Sequence, residues 1–132
     1  MSRLFLKTTE HAEQAALLHW SHLHESRWPE LELLFAIPNG GHRHPGVARK
    51  LQAEGVRAGI PDLYLPVARG GAYGLWIEMK VSGGKLSRRQ EITLVKLRDQ
   101  GYTACVCYGW EDAVRTLTDY LTRPRTRVLG TA

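Results

Sequence analysis

The spacing of apolar and polar residues along the chain predicts helices and short strands in alternation. A period of two favours strands, because successive side chains of an extended chain point to opposite faces. Intervals of three and four favour amphipathic helices. The predicted order is a helix from about Glu10 to about His24, a strand Leu31–Ile37, a short helix from about Gly46 to Glu54, a strand from Asp62, its partner Leu75–Val81, a helix from about Arg88 to Gln100, a strand Tyr102–Tyr108 and a helix from about Glu111 to Leu121. This order predicts an α/β fold with a mixed β-sheet flanked by helices.

Glycine, proline and capping residues separate these elements. Pro38–Gly41 ends the first strand, and Gly55 is placed to end the short helix. Three glycines in Ala68–Gly74 predict a hairpin loop, which makes the strands on either side of it neighbours. Ser87 is placed to cap the next helix, and Gly101 lies just past its end.

The size and charge of the chain narrow the class of protein. Its 132 residues are enough for one domain with a buried core, which we place at residues 1–122, ahead of a basic tail at 123–132 that we expect to be mobile. The net charge of +5 and the pI near 9.5 suit a polyanionic partner such as nucleic acid. We see no signal peptide and no apolar run of membrane-spanning length, so we expect a soluble, cytoplasmic protein with no membrane contact.

Candidate chemistry is concentrated on one face of the strand Leu75–Val81. Alternation places Glu78 and Lys80 together on the face opposite its aliphatic residues. The hairpin can bring Asp62 close to Glu78, and two converging carboxylates make an oxygen-ligand site suited to Mg²⁺ or Mn²⁺. Such a metal ion beside Lys80 can bind a phosphate oxygen and activate water for in-line attack.

Each of these residues also has a simpler interpretation. Glu78 and Lys80 could form an ordinary ion pair on an exposed sheet face. Glu13 lies on the apolar face of the first helix, where it could reach the site or only favour the helix start through the helix dipole. Gln90 fits a capping box with Ser87 and also lies on the apolar face of its helix, so it could cap the helix and face the site at once.

Five motifs follow one another along the chain in an order that is more specific than any of them alone. They are Glu13, Asn39–Gly41, Gly59–Asp62, Glu78–Lys80 and Ser87–Gln90. This order resembles the VRR-NUC (virus-type replication-repair) nucleases, which belong to the PD-(D/E)xK group and have a restriction-endonuclease-like fold. The resemblance covers about Glu10 to Leu121, and the compact length is similar to that of the standalone phage or bacterial members.

The resemblance implies a set of ligands for a divalent metal ion, Mg²⁺ or Mn²⁺. Asp62 and Glu78 would bind the ion through their carboxylates. The backbone carbonyl of Met79 would add a third ligand. Glu13 would bind the ion directly or through water.

The resemblance also implies the reaction and its substrate. Lys80 would orient the attacking water or stabilise charge on the phosphate, and Gln90 would support the site from its helix. The expected enzyme is a DNA endonuclease that acts on branched DNA, such as Holliday junctions or flaps, in replication, recombination or repair, and leaves 5′-phosphate and 3′-hydroxyl ends. A chain of this size should carry one active site, so paired cuts in two strands would need a C2 homodimer.

Four basic residues are the best candidates for contacts with the phosphate backbone. Lys85, Arg88 and Arg89 surround a predicted helix start, where free N–H groups and positive charge favour a phosphate. Arg43 lies in a polar loop that could touch a backbone or simply be solvated.

Two other functions compete with a nuclease. A non-catalytic nucleic-acid-binding module is the first, and the intact set of Asp62, Glu78 and Lys80 argues against it. A metal-dependent hydrolase of small phosphate esters is the second, and the basic segment Lys85–Arg89 favours a long polyanion instead.

Overall fold

A mixed β-sheet with helices on both faces organises the described part of the chain. The structure, a computed structural model, describes residues 7–38 and 44–127, and no helix within them has the length and apolar character needed to cross a membrane. The strands form a sheet in the order β1-β2-β3-β4, in which β3 and β4 are parallel and the other pairs antiparallel. This confirms the predicted mixed sheet flanked by helices. The elements are α1 (Glu10–Leu23), a 3₁₀ helix (Pro29–Leu33), β1 (Phe35–Ala36), α2 (Pro45–Ala53), β2 (Leu63–Leu65), β3 (Leu75–Lys80), α3 (Arg88–Asp99), β4 (Thr103–Tyr108) and α4 (Trp110–Leu121).

The hydrophobic core lies between one face of the sheet and the helices α1 and α4. Alternation along β2 and β3 turns Leu63, Ile77 and Met79 to this face, where all three are fully buried. Leu17 of α1 and Leu117 of α4 belong to the same cluster. Full burial of an aliphatic side chain of this size contributes roughly 1.5–3 kcal/mol, so the period-two pattern determines which face of β3 points inward.

The opposite face of the sheet is aromatic and polar. Tyr64 and Trp76 stack across β2 and β3, with their ring centroids 4.2 Å apart. Further along β3 on this face are the buried side chains of Glu78 and Lys80. The helix α3 packs against β4 and reaches Glu78 through Gln90. This face therefore carries the candidate site.

Side-chain caps define the starts of α1 and α3. The hydroxyl of Thr9 accepts a hydrogen bond from the N–H three residues later, at 3.0 Å. Ser87 and Gln90 form a capping box at the start of α3. Gly101 follows α3 with a φ of +97°, and a Cβ there would lie 2.7 Å from the ring of Tyr73. Glycine is therefore required at this turn, which connects α3 to β4.

The predicted strand Leu31–Ile37 is wrong over most of its length. The chain instead forms the 3₁₀ helix, and only the two residues of β1 pair with the sheet. Pro29 begins the helix with a fixed φ that suits the first turn. A three-residue period then buries Leu31 and Leu34 and leaves Leu33 52% exposed. A leucine-rich run fits this period as well as it fits a buried strand.

The segment after α4 is bound to the hairpin loop between β2 and β3. The N–H of Gly70 donates to the carbonyl of Pro124 at 2.7 Å, and the hydroxyl of Thr126 donates to another carbonyl of this loop at 2.6 Å. These bonds satisfy loop groups that would otherwise depend on water. The predicted mobility of the tail stays a prediction, and residues 128–132 lie outside the described part of the chain.

Replacing Tyr120 with phenylalanine tests the contact between α4 and the end of β2. The buried Tyr120 hydroxyl donates to the carbonyl of Val67 at 2.6 Å. In Tyr120→Phe that buried carbonyl loses its donor, so we expect the free energy of unfolding to fall by roughly 1–2 kcal/mol in urea denaturation. Tyr73→Phe, at a 57% exposed position, should cost less than about 0.5 kcal/mol. Equal losses in the two variants would contradict this account.

Candidate active site

The register between β2 and β3 brings Asp62 beside Glu78. Leu63 pairs with Ile77 in the antiparallel ladder, so the next pair along it is Asp62 and Glu78, on the face opposite the core. Lys80 follows on the same face of β3. The exposed fractions of Asp62, Glu78 and Lys80 are 7%, 2% and 7%. The three charged side chains are therefore buried together, and the alternative of an exposed surface ion pair is wrong.

Backbone hydrogen bonds hold Asp62 in place. Its Oδ2 accepts a hydrogen bond from the N–H of Met79 at 2.8 Å. Its backbone carbonyl accepts another from the N–H of Ile37, also at 2.8 Å. The carboxylate therefore accepts the kind of hydrogen bond from β3 that a backbone carbonyl of a neighbouring strand usually accepts. This bond ties the Asp62 side chain directly to β3.

Glu78 is a buried acid whose pKa is strongly raised. Burial, a hydrogen bond to the Asp62 carboxyl and the negative charge of that carboxyl together raise the pKa of Glu78 to about 9. The charge of Lys80 opposes this rise in the pKa. Two adjacent buried carboxyl groups cannot both ionise cheaply without a cation, so the pair is poised to exchange its proton for one.

Lys80 provides the positive charge of the site. Its Nζ lies 3.9 Å from Oε2 of Glu78, a long contact for an ion pair. Its backbone carbonyl accepts a hydrogen bond from the N–H of Gly109 at 2.9 Å, which anchors the end of β3 to the turn before α4. The ammonium group is thus near the carboxylates without being tightly paired to Glu78.

Gln90 performs both of the tasks that the sequence allowed. Its Oε1 accepts a hydrogen bond from the N–H of Ser87 at 2.9 Å, which completes the capping box of α3. Its Nε2 lies 3.4 Å from Oε2 of Glu78. Because the Ser87 N–H can only donate, it selects the amide oxygen of Gln90 and so turns the amide N–H₂ toward Glu78.

Glu13 belongs to α1, but its carboxylate lies at the start of α4, and both of the carboxylate oxygens accept hydrogen bonds. Oε1 accepts from the backbone N–H of Trp110 at 3.0 Å, and Oε2 accepts from the hydroxyl of Thr8 at 2.6 Å. A carboxylate at this position interacts favourably with the N-terminal end of α4. Its predicted role as a metal ligand stays a prediction.

Glu10 acts on Glu78 through its charge, and the sequence analysis did not single it out. Its negative charge is among the causes that raise the pKa of Glu78. It lies one turn before Glu13 at the start of α1, so the available signal was a pair of acids at helical spacing. The apolar neighbours of Glu13 drew attention to that residue alone.

The donor set fits a hard divalent cation such as Mg²⁺ or Mn²⁺. Asp62 and Glu78 offer carboxylate oxygens, the ligands that these ions prefer. Among residues 7–38 and 44–127, no three His, Cys, Asp or Glu side chains are grouped so that they could hold a metal ion by themselves. A cation at this site would therefore need backbone oxygens or water in addition to the two carboxylates.

The described residues also form a groove whose lining includes four basic side chains. It has a volume of about 810 Å³ and runs between α3 and the segment that joins α2 to β2. The predicted residues Arg88 and Arg89 line it, and so do Arg57 and Lys96, which the sequence analysis did not single out. None of its described lining residues is acidic. We call these four cations and the space between them the basic groove.

The other predicted nucleic-acid contacts are placed differently. Lys85 is exposed just before α3 and is not part of the lining of the basic groove. Arg43 lies outside the described residues. Gly59 makes the close approach of Arg89 possible, because a Cβ at this position, where φ is +86°, would lie 2.5 Å from Cγ of Arg89.

Comparison with known proteins identifies the family and the fold of this chain. The sequence profile of the VRR-NUC domain matches residues 5–111. A solved structure described as a VRR_NUC domain protein has the same fold, with a TM-score of 0.77, 24% sequence identity, and alignment over 94% of this chain and 100% of that one. No protein with a curated description matches the chain.

The fold and the matched domain define the class of this protein as an α/β nuclease domain. The chain belongs to the VRR-NUC family. Members of this family are generally nucleases, and such nucleases typically use divalent metal ions.

The raised pKa of Glu78 predicts how the stability of the protein depends on pH when no metal ion is bound. The folded pKa of Glu78, about 9, is above its ordinary value of 4.5, so between these pH values the folded state binds more protons than the unfolded state. The contribution of Glu78 to stability is therefore full below pH 4.5 and is lost as the pH rises toward 9. Glu78→Gln mimics the protonated form and should remove this loss.

Thermal unfolding in the presence of a chelator measures the effect. We expect Glu78→Gln to have a higher Tm than the parent, and the difference should be larger at pH 8 than at pH 5. Each 1 kcal/mol of added stability corresponds to about 4 °C in Tm. Glu91→Gln changes an exposed acid of α3 and serves as the control, which should follow the parent at both pH values. If the Tm of the parent and the Tm of Glu78→Gln change equally with pH, the raised pKa of Glu78 is contradicted.

Proposed function

We propose that the protein is a Mg²⁺- or Mn²⁺-dependent DNA endonuclease that hydrolyses phosphodiester bonds at Asp62, Glu78 and Lys80. The observation that carries this proposal is the buried pair of Asp62 and Glu78 with an ammonium group beside it. Such a pair is costly to bury unless a cation takes the place of the proton. Membership of a nuclease family supports the same reaction.

The proposed metal ligands are Asp62, Glu78 and the carbonyl of Met79, with Glu13 acting directly or through water. The Met79 N–H bonds to Asp62, and in an extended strand the carbonyl of a residue points to the same side as its N–H. Continuing the β2–β3 register places Pro61 opposite Met79, and proline has no N–H to donate to that carbonyl. The carbonyl is thereby available to a cation beside Asp62.

Lys80 and Gln90 act on the groups around the metal ion. A bound ion would supply a Lewis acid for a phosphate oxygen and would lower the pKa of water. The Lys80 ammonium would orient the attacking water or stabilise charge that develops on the phosphate. Gln90 holds Oε2 of Glu78 through its amide N–H₂ and so keeps the carboxylate in position.

The proposed substrate is DNA, with a preference for branched forms such as Holliday junctions or flaps. The basic groove can hold a phosphate backbone, with Arg88 and Arg89 in contact and Lys85 and Arg43 as further candidates. One chain carries one site, so paired cuts across a junction would require a homodimer, whereas trimming of a flap would not. A non-catalytic nucleic-acid-binding module is the alternative function.

A cleavage assay separates catalysis from binding. Asp62→Asn and Lys80→Ala should lower the rate of cutting of junction, flap and linear DNA with Mg²⁺ or Mn²⁺ by roughly a hundredfold or more. Both variants should still bind DNA in the presence of a chelator. Lys50→Ala removes an exposed lysine of α2 and should cut like the parent. If the parent cuts no DNA with either metal but binds it, the binding-module alternative is correct.

The salt dependence of binding tests the basic groove. Arg57→Ala and Lys96→Ala should each weaken binding to duplex DNA, and each should reduce the slope of log K against log salt by about 1, because one phosphate contact is lost. Arg115→Ala removes an exposed arginine on α4, outside the groove, and is the control. Unchanged slopes in both groove variants would show that the phosphates bind elsewhere.

A further inference from the structure

Aromatic residues occupy the part of the sheet face that α3 leaves open. α3 packs against β4, whereas β1, β2 and β3 present the side chains of Phe35, Tyr64 and Trp76 on the same face. The three residues are register partners across neighbouring strands, so they form a row perpendicular to the strands. We call this row the aromatic strip.

The rings of the aromatic strip make ordered contacts with one another. Tyr64 and Trp76 are stacked, with an angle of 27° between their planes. Phe35 meets Tyr64 edge-on, with ring centroids 5.8 Å apart. Phe35 is nevertheless 47% exposed, although the core face of the same sheet is closed by aliphatic side chains. The strip therefore ends at Phe35, whose ring no described residue covers completely.

The position of the strip connects it to the candidate site. Tyr64 lies two residues after Asp62, and Trp76 lies two residues before Glu78, so the strip is about 7 Å from the carboxylates along the strands. On the other side of the carboxylates, Ile60 lines the basic groove. The carboxylates therefore lie between a surface suited to phosphates and a surface of aromatic rings.

We propose that the aromatic strip stacks unpaired nucleobases of the DNA strand whose phosphate lies at Asp62 and Glu78. Bases in a duplex are already stacked on each other, so only unpaired nucleotides can use such rings. A polyanionic partner agrees with the four cations of the basic groove. This inference rests on the proposed nuclease function and specifies its substrate class as DNA with unpaired nucleotides beside the cut.

Binding in the presence of a chelator tests the strip without cleavage. The probe is a fluorescent duplex with an overhang of six thymidines, compared with the same duplex whose overhang is abasic and with a blunt duplex. The parent should bind the thymidine overhang about tenfold more tightly than the abasic overhang, a difference of about 1.4 kcal/mol. The abasic overhang retains the phosphates, so this difference reports on the bases alone. Equal affinities for the two overhangs would overturn the proposal, and this arm needs no variant.

Substitutions then locate the effect. Phe35→Leu and Tyr64→Leu should lose most of the preference for thymidine over abasic overhangs and keep the affinity for blunt duplex. Leu33→Ala, at a similarly exposed position two residues before Phe35, should keep the preference. If Phe35→Leu and Tyr64→Leu retain it, bases bind elsewhere and the proposal is wrong.

Two further outcomes have separate meanings. A parent that sediments as a dimer, and a Phe35→Leu variant that sediments as a monomer, would assign the strip to an interface between two copies and overturn its role in base stacking. If the parent cleaves DNA but shows no preference for the thymidine overhang, only the strip proposal fails. If the preference is present but no metal supports cleavage, the nuclease proposal fails instead.

Discussion

The antiparallel register between β2 and β3 is the constraint on which the site depends. It places Asp62 opposite Glu78, and the bond from the Met79 N–H to Asp62 secures this alignment beyond the last paired residues of β2. A slip of one residue would turn Asp62 toward the core and an aliphatic side chain toward the site. The core face resists such a slip, because the buried side chains of Leu63 and Leu65 would both leave it. The hydrophobic core therefore maintains the geometry of two carboxyl groups that would otherwise separate.

Local patterns were sufficient to predict much of the fold and most of the site. Period two in β3 predicted the shared face of Glu78 and Lys80, and the capping box and the apolar face of α3 together predicted the double role of Gln90. The leucine-rich run that forms the 3₁₀ helix was mispredicted, because short apolar runs fit several periods. Glu10 was missed although it has helical spacing to Glu13. The raised pKa of Glu78 could not be predicted, since it depends on how deeply the carboxyl group is buried beside Asp62.

Different parts of the chain are combined around the carboxylates in a way that suits a nucleic-acid substrate. Arg57 and Lys96 are distant in sequence, yet they line one groove. The aromatic strip draws one residue from each of three strands. Both surfaces meet the site along the strand direction, so one extended strand of DNA could contact phosphate-binding residues, the reaction centre and stacking rings in sequence. The proposed preference for branched substrates follows from this arrangement.

The location of a bound metal ion tests the central claim most directly. Crystals of the protein soaked with Mn²⁺ and measured for anomalous scattering will show where the ion binds. The account predicts one Mn²⁺ between the carboxylates of Asp62 and Glu78, roughly 2.1 Å from an oxygen of each and from the carbonyl of Met79. Manganese bound elsewhere on the chain, with the carboxyl pair still protonated and empty, would contradict it.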